Sequence, residues 1–294
     1  MALGNFATPF RMDHGKSFRL KAVDPGDTRG LDSAEEAKEL LRRDIERLSD
    51  LQQKLYAQDR WALLVILQAM DAAGKDSVIK HVMSGVNPQG CEVFSFKTPS
   101  AEELDHDFMW RTSRQLPERG RIGIFNRSYY EEVLIVRVHS DLLAREKMPA
   151  SLVTQHIWKE RFKDINAFEH YLARNGTVVR KFFLHVSKDE QKKRFLSRLD
   201  EPEKNWKFSS ADLRQRERWD DYVNAYEDMI RHTATAHAPW YVVPADHKWF
   251  MHLVVASAIV DTLESLNLAF PKVDKARLKE IKAARATLLR ETDD

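Results

Sequence analysis

The sequence predicts an α/β protein built on a central parallel sheet of about five strands, with helices on both faces as a three-layer fold. The first observation is a set of five short apolar runs, at residues 61–68, 91–96, 121–126, 177–186 and 240–245. Bounded runs of this length and composition are typical of strands buried in a parallel sheet. The second observation is that helix-like stretches separate these runs, which is the pattern of successive βαβ units.

Composition indicates a folded chain and excludes several classes of protein. The 294 residues are 43% hydrophobic and 10% aromatic, which is enough for a full core and excludes global disorder. Lys and Arg number 47 against 45 Asp and Glu, so the net charge of +2 does not call for a nucleic-acid partner. The single cysteine, Cys91, excludes a disulfide framework and a cysteine-rich zinc site.

The sequence also lacks the marks of a membrane or secreted protein. Its longest apolar run, 61–67, is far too short to span a bilayer. The N-terminal residues do not combine a basic segment with a following apolar stretch, as a signal peptide does. We therefore expect a cytoplasmic protein without a membrane partner.

The N-terminal part divides into an arm and a helix. Residues 1–32 are predicted to form an irregular basic arm that carries Arg11, Lys16, Arg19, Lys21 and Arg29. A helix is predicted to begin after Ser33, because Glu36 three residues on completes a capping box. Apolar residues at spacings of mostly three or four then mark one face of this helix.

Residues 33–272 are predicted to form the main α/β domain. Within it, the helix-like stretch 100–115 has a capping box of its own, in Ser100 and Glu103. The stretch 187–235 is strongly charged and helical in pattern, and we interpret it as an inserted helical lid rather than as a core layer. Residues 273–294 are predicted to form a charged C-terminal helix with little apolar face.

The clearest functional pattern follows the first strand, where residues 69–77 read AMDAAGKDS. A strand, a turn of small residues, Gly-Lys and then a helix form a phosphate-binding loop, the P-loop or Walker A motif. Its amides form an anion nest, the helix N-terminus adds positive potential, and the lysine reaches the outer phosphates. The predicted phosphate-binding residues of this loop are Ala72, Ala73, Gly74, Lys75, Asp76 and Ser77. The alternative is an ordinary helix N-terminus with an incidental Gly-Lys pair.

Three residues of this loop depart from the usual motif. Ala69 stands at the first glycine position, and Asp76 stands where Ser or Thr normally binds magnesium. Asp71 is unusual because a carboxylate beside a phosphate is repelled unless a cation lies between them. We interpret Asp71 as a magnesium ligand or as a base that orients the nucleophile. The alternative is a turn aspartate that bonds to its own backbone.

A second cluster follows the third strand, where residues 125–132 read FNRSYYEE. Ligands of open α/β sheets bind at the carboxyl ends of the strands, so this segment should face the phosphate loop. Arg127 suits a bidentate phosphate contact, and we predict that Asn126, Arg127, Tyr130 and Glu131 contact the nucleotide. The alternative for Arg127 is a surface ion pair with Glu131, one helical turn away.

The predicted lid begins with a dense set of cations: Lys192, Lys193, Arg194, Arg198, Lys204 and Lys207. A run of charge is usually a solvated helix face, which is the alternative for this segment. Beside a phosphate loop it also resembles the mobile lid of nucleotide kinases, which brings arginines to the transferring phosphoryl group and excludes water. Trp206 lies in the same segment, either as part of a core face or as a cover over a base.

Read together, five segments resemble the type-2 polyphosphate kinases, and most of all the branch called class III. These segments are LQAMDAAGKDSVIKHVMSGVNPQG, IFNRSYYEEVLIVRVH, KKRFLSRLDEPEKNWKFSSADL, RWDDY and HAPWYVVPADHKW. They occur in order at family-like spacing, and the resemblance extends from about residue 17 to about residue 270.

This resemblance implies a P-loop kinase-like fold and reversible, Mg²⁺-dependent phosphoryl transfer from inorganic polyphosphate to AMP and ADP, yielding ADP and ATP. Mn²⁺ is expected to substitute for Mg²⁺, and the protein is expected to form a homo-oligomer. The residues that match the family's catalytic positions are Asp71, Lys75, Arg127, Arg194 and Arg198, with Asp71 as metal ligand. Many members have a carboxylate in place of Asn126, so the second magnesium contact is left to Glu131 or water.

Polyphosphate is a linear polyanion, so its binding requires a track of cations and should weaken with salt. The basic arm and the cluster at 192–207, including Lys204 and Lys207, are the candidates for this track. Two other functions also fit these residues: an ATP-dependent kinase of the same fold, and a non-catalytic polyanion-binding protein. The second of these would need no phosphate loop.

Overall fold

A six-stranded sheet forms the centre of the structure, a computed structural model that describes residues 6–291. Its strands are β1 (Arg11–Met12), β2 (Ala62–Gln68), β3 (Cys91–Ser95), β4 (Ile122–Asn126), β5 (Thr177–His185) and β6 (Trp240–Pro244). The order across the sheet is β1-β6-β5-β2-β4-β3. All neighbouring pairs are parallel except β1 with β6, which is antiparallel. The five predicted parallel strands are therefore confirmed.

Helices cover both faces of the sheet. One face packs against α1 (Ala34–Gln58), α2 (Lys75–Val82) and α10 (Lys248–Ser265), and the other against α6 (Ile157–Arg174) and α9 (Trp219–Thr233). All seven residues of β2 are buried between these layers, which explains why its sequence shows no alternation of apolar and polar residues. The result is the three-layer α/β arrangement that the sequence predicts.

The N-terminal arm is more ordered than the sequence predicts. It contributes β1, whose Arg11 lies opposite Tyr241 of β6, and its side chains Phe18 and Leu20 are buried. A two-residue strand is too short to show any hydrophobic period, so the sixth strand had no signal in the sequence. The first five residues of the arm and the last three of the predicted C-terminal helix lie outside the described residues.

The prediction of one helix over 100–115 is wrong, because this stretch forms two short helices. The first, α3 (Ala101–Leu104), begins with the predicted capping box of Ser100 and Glu103. The second, α4 (Trp110–Ser113), follows a turn in which the Asp107 carboxylate accepts a hydrogen bond from the Met109 amide at 2.9 Å. Side-chain bonding of this kind competes with the helical pattern and interrupts it.

The predicted lid, residues 187–235, has two structurally different parts. Its first part comprises α7 (Lys188–Asp200), a 3-10 turn (Pro202–Lys207) and α8 (Ser210–Glu217). The short helix α5 (Ile135–Val138) lies earlier in the chain, between β4 and α6. Its last part is α9, which buries Tyr222, Tyr226 and Met229 in the core. The prediction that the whole range lies outside the core layers is therefore wrong for α9.

The C-terminal segment forms α11 (Lys275–Leu288), in which each residue is exposed. Within residues 6–291, no helix combines the length and the apolar character that crossing a membrane requires.

Candidate active site

The phosphate loop joins β2 to α2 at the carboxyl end of the central strand. Ala72 and Gly74 both have left-handed backbone angles, with φ of 62° and 121°. A Cβ at Gly74 would lie 2.9 Å from Cε of Met251, so the methionine side chain would have to shift to accommodate it. A left-handed alanine costs about 1–2 kcal/mol, so contacts from outside the loop must stabilise this conformation.

Helix α7 supplies such contacts through Gln191 and Arg194. The Gln191 amide donates to the carbonyl of Asp71 at 3.0 Å. The Arg194 guanidinium is 9% exposed and donates to Oε1 of Glu190 and to the carbonyls of Ala72, Ala73, Ala245 and Asp246, at 2.6–3.1 Å. A guanidinium has five N–H donors, so these five bonds leave Arg194 with no donor for a phosphoryl group. The predicted phosphoryl contact of Arg194 does not fit this geometry.

Lys75 is the first residue of α2, and its Nζ donates to the carbonyl of Ala69 at 2.9 Å. Burial lowers the pKa of its ammonium, and the nearby Arg127 guanidinium lowers it further. Asp71, Glu131 and Asp76 act in the opposite direction and favour the charged form. Lys75 thus lies among charges of both signs.

Arg127 joins the phosphate loop to the segment after β4. Its guanidinium donates to Oδ1 of Asp71 at 3.0 Å and to Oε2 of Glu131 at 3.3 Å. The ion pair with Glu131 that the sequence leaves open is therefore present, together with a second partner from the loop. The charge of Glu131 raises the pKa of Arg127, and Asp71 adds to the effect, so the guanidinium stays charged. Its own φ of 66° is left-handed.

Two further predicted residues pair with side chains around the loop. The side-chain amide of Asn126 donates to Oδ1 of Asp76 at 2.9 Å, so the segment after β4 contacts the phosphate loop here as well. The hydroxyl of Ser77 lies 3.0 Å from Nε2 of His252 on α10. These two contacts tie the start of α2 to β4 on one side and to α10 on the other.

The predicted nucleotide contact of Tyr130 is wrong, because its side chain is fully buried in the core. Its hydroxyl donates to Oε1 of Glu169 at 2.8 Å, and Lys181 donates to Oε2 of Glu169 at 2.6 Å. Tyr129 donates to the same carboxylate at 2.9 Å. The buried Glu169–Lys181 pair therefore anchors the segment that carries Arg127. The sequence does not indicate whether the Tyr130 side chain points towards the site or into the core.

A wide groove of about 1050 Å³ opens over the phosphate loop. Its lining includes the cations Lys75, Lys97, Arg127, Lys193, Arg194, Arg198, Lys204, Lys207 and Lys248. Sequence reasoning missed Lys97 and Lys248, because a single lysine in a loop or at a helix start has no distinguishing pattern. The basic residues described for the N-terminal arm lie outside this lining, and Arg11 and Arg19 pair with Asp13 and Glu227.

The lid residues of the groove are held by local partners. Arg198 donates to Oδ2 of Asp212 at 3.1 Å, and Lys204 donates to the hydroxyl of Ser197 at 3.1 Å. Trp206 is 78% exposed, with the Lys207 ammonium over its ring. Trp206 is thus not a core residue, whereas Tyr222 and Tyr226 of α9, later in the predicted lid, are buried.

A second cavity, of about 370 Å³, lies beside the groove. Segments that sequence reasoning did not single out form most of its wall, including Phe108, Arg111, Leu142 and Arg145. Phe108 contacts the guanidinium of Arg161 at 4.2 Å, and Arg111 lies over the ring of Phe96. Arg127, Lys97 and Thr98 line both this cavity and the groove, so the two spaces adjoin at these residues.

The His252 ring stacks on the His81 ring, with 4.5 Å between the ring centroids. Burial lowers the pKa of His252 from 6.5 to about 4, and His81, Lys248 and Arg194 add to the effect. The folded state therefore favours the neutral ring. This contribution to stability is present above pH 6.5 and is lost as the pH falls towards 4.

We expect His252 to contribute about 3 kcal/mol to the acid dependence of the unfolding free energy. Denaturant unfolding at pH 7 and pH 4.5 should show a smaller loss of stability in His252→Gln than in the wild type. His156→Gln, at an exposed histidine, is the matched control and should keep the wild-type loss. Equal losses in all three proteins would contradict the assignment.

The comparisons with known proteins identify the family. Residues 30–271 match the sequence profile of the family Polyphosphate kinase 2 (PPK2). The chain belongs to this family. The kinase is 59% identical over 286 residues to the ADP-polyphosphate phosphotransferase of Rhodopseudomonas palustris, across 96% of this chain and 98% of that protein. It is 45% identical to the AMP/ADP-polyphosphate phosphotransferase of Meiothermus ruber, across 92% and 97%.

A solved structure agrees with this assignment. The crystal structure of Polyphosphate Kinase 2 from Arthrobacter aurescens TC1 matches the fold of this kinase with a TM-score of 0.87. That chain is 41% identical, and the match covers 97% of both chains. The predicted family, P-loop kinase-like fold and transferase activity are therefore confirmed, while membership of class III stays a prediction.

The site of the kinase offers oxygen ligands suited to Mg²⁺. Asp71 is 15% exposed, and Asp76, Glu131 and the amide of Asn126 line its surroundings. No set of three or more potential ligand side chains gathers at one point within residues 6–291. Mg²⁺ often binds through one or two carboxylates, with water and substrate phosphates as its other ligands. The donor set therefore fits a magnesium ion that is shared with a bound phosphate.

Proposed function

We propose that this kinase transfers a phosphoryl group from inorganic polyphosphate, bound in the groove, to AMP or ADP bound in the adjacent cavity. The observation that carries the proposal is that Arg127 lines both spaces. The groove suits a chain of phosphates because cations surround it on several sides. The cavity has aromatic and apolar groups beside charged ones, as a nucleoside requires.

The transfer exchanges one phosphorus–oxygen bond for another. A terminal oxygen of the nucleotide attacks the terminal phosphorus of polyphosphate, and the bridging bond to the rest of the chain breaks. The shortened polyphosphate leaves with the electron pair of that bond. Lys75 and Arg127 neutralise charge on the transferring group, and loop amides orient it, so that catalysis consists of positioning and charge stabilisation.

Asp71 is the residue that would hold Mg²⁺, with Glu131 or water as the candidate for a second contact. The ion would supply Lewis-acid neutralisation of phosphate oxygens. Arg127 holds Oδ1 of Asp71 at 3.0 Å, which fixes the orientation of the carboxylate before any ligand binds. A turn aspartate alone would not require such a partner.

If Asp71 binds the metal, Asp71→Asn should raise the Mg²⁺ concentration for half-maximal rate by about tenfold or more, since a neutral amide is a weaker ligand. The measurement is a Mg²⁺ titration of the initial rate at saturating polyphosphate and ADP. Asp141→Asn, at an exposed aspartate, serves as the control. An unchanged midpoint in Asp71→Asn would show that Asp71 only shapes the turn.

The relatives support both acceptors. The Rhodopseudomonas palustris protein is named for ADP and the Meiothermus ruber protein for AMP and ADP. The neutral Asn126, which lines the groove next to Arg127, adds no negative charge there, where many family members are expected to have a carboxylate. Assembly into a homo-oligomer, cytoplasmic location and substitution by Mn²⁺ stay predictions.

The test is a time course with polyphosphate, Mg²⁺ and AMP, without added ATP. ADP should appear first, and ATP should follow after a lag as ADP becomes an acceptor. Product that stops permanently at ADP would exclude ADP as acceptor, and turnover of ADP alone would exclude AMP. Activity with ATP as donor and none with polyphosphate would favour the ATP-dependent kinase instead.

A further inference from the structure

The contacts of α7 with the phosphate loop involve three consecutive carbonyls. Gln191 binds the carbonyl of Asp71, and Arg194 binds those of Ala72 and Ala73. We propose that Gln191 and Arg194 are positioning residues that hold the phosphate loop in its anion-binding conformation, and that Arg194 does not itself contact the phosphoryl group. The inference rests on the proposed function, because it takes the loop as the site that holds polyphosphate.

Peptide geometry connects these carbonyls to the amides that bind phosphate. In a trans peptide the C=O and the following N–H point in opposite directions. Carbonyls 71, 72 and 73 face α7, so the amides of Ala72, Ala73 and Gly74 point away from it. The Ala73 amide closes a turn on the carbonyl of Met70 at 3.3 Å. Ala72 and Gly74 line the groove, so we expect their amides to be the ones that meet a bound phosphate.

The strained residue of the loop lies inside this set of contacts. Ala72 has a φ of 62°, a region that alanine avoids and glycine adopts readily. If the hydrogen bonds from α7 are removed, Ala72 is expected to relax towards negative φ. That rotation would turn the neighbouring peptides and move their amides out of line with the phosphate.

The two side chains are themselves fixed from several directions. Arg194 also binds the carbonyls of Ala245 and Asp246, which follow β6. Gln191 accepts a hydrogen bond from Arg216 of α8 at 2.9 Å. The loop is thus tied to the sheet and to the lid helices through the same two residues, and the position of α7 is coupled to the shape of the phosphate site.

Two roles for Arg194 predict different behaviour in a double-mutant cycle. If Arg194 contacts the phosphoryl group, no change in the loop backbone can replace it. If it holds Ala72 in its left-handed conformation, Ala72→Gly should restore part of the lost activity, because glycine needs no such support. Gln191→Ala provides a milder second case, since it removes one bond and leaves Arg194 in place.

The experiment measures kcat and the KM for polyphosphate in Gln191→Ala and Arg194→Ala, each with and without Ala72→Gly. Ala72→Gly alone and the wild type complete the two double-mutant cycles. Gln191→Ala should lower kcat/KM by about fivefold, the scale of one hydrogen bond. Arg194→Ala should lower it by about 50-fold or more. Ala72→Gly should then raise the activity of each variant by roughly threefold or more relative to its effect in the wild type.

Lys188→Ala removes an exposed cation from the same helix, outside the 192–207 cluster and the groove lining, and is the control for charge alone. Thermal unfolding shows whether each variant is folded. If Arg194→Ala does not fold, the comparison of Gln191→Ala with and without Ala72→Gly still tests the inference. Additive effects of Ala72→Gly in both backgrounds would overturn the inference. Full activity of Lys75→Ala would instead overturn the proposed function, since that variant tests the phosphate loop without involving α7.

Discussion

Arg127→Ala is expected to lower kcat by about 10³-fold, the scale of a lost arginine at a transferring phosphoryl group. Arg127, like Lys97, lines both the groove and the cavity, and it is the one of the two that also contacts the phosphate loop, through Asp71. Its charge is held in place by Asp71 and Glu131 before substrate binds. The measurement is steady-state kinetics with polyphosphate and ADP.

Two variants make this result specific. Arg127→Lys keeps the charge but loses the planar pair of donors, so its kcat should lie between those of Arg127→Ala and the wild type. Arg47→Ala removes an exposed arginine that pairs with Glu264 far along the chain, and its kcat should not change. Turnover of Arg127→Ala within about threefold of the wild type would remove Arg127 from the reaction and return it to the role of an ion-pair partner.

The sequence predicts the five parallel strands because each is a short, bounded run of mostly apolar residues, separated from the next by a helix-like stretch. It misses β1 because two residues have no period, and because pairing with β6 depends on contacts far apart in the chain. It also extends the helix at 100–115 through Asp107, whose side chain caps a new turn. In each case the error lies where a local hydrogen bond or a distant partner decides the conformation.

In the candidate site too, the sequence predicts where residues lie along the backbone better than it predicts their contacts. Asp71, Lys75 and Arg127 are found from the sequence because strand ends and the Gly-Lys pair fix their place on the backbone. Tyr130 and Arg194 are assigned to ligands because sequence spacing gives the position of a residue but not the direction of its side chain. One of them points into the core towards Glu169, and the other onto the carbonyls of the phosphate loop.

The cavity beside the groove illustrates a further limit. Its wall includes Arg127 and Glu131, which the sequence predicts as nucleotide contacts, but its other residues, from 97–111 and 128–146, belong to no motif that the sequence singles out apart from the cluster at 125–132. Binding of a nucleoside depends on shape and on a few groups that converge from different segments. Only the tertiary packing of these segments brings Phe108 and Arg145 to one space.

Lys75→Ala is expected to lower kcat by about 10²-fold or more, the scale of removing one preorganised charge contact. Without the ammonium, the transferring phosphoryl group would face backbone dipoles on that side of the loop. Lys80→Ala, at an exposed lysine on the same helix, is the matched control and should keep the wild-type rate. Near-normal turnover of Lys75→Ala would contradict the assignment of the loop as the donor site.

A pH profile tests the same residue in a second way. Because burial and Arg127 lower the pKa of Lys75, its proton is lost at a lower pH than that of an exposed lysine. The wild-type kcat should therefore fall on the alkaline side, as the ammonium that stabilises the phosphoryl group becomes neutral. Lys75→Arg should be slower at neutral pH, since guanidinium geometry differs, but its alkaline limb should move to higher pH. An alkaline limb at the same pH in both proteins would show that another group controls it.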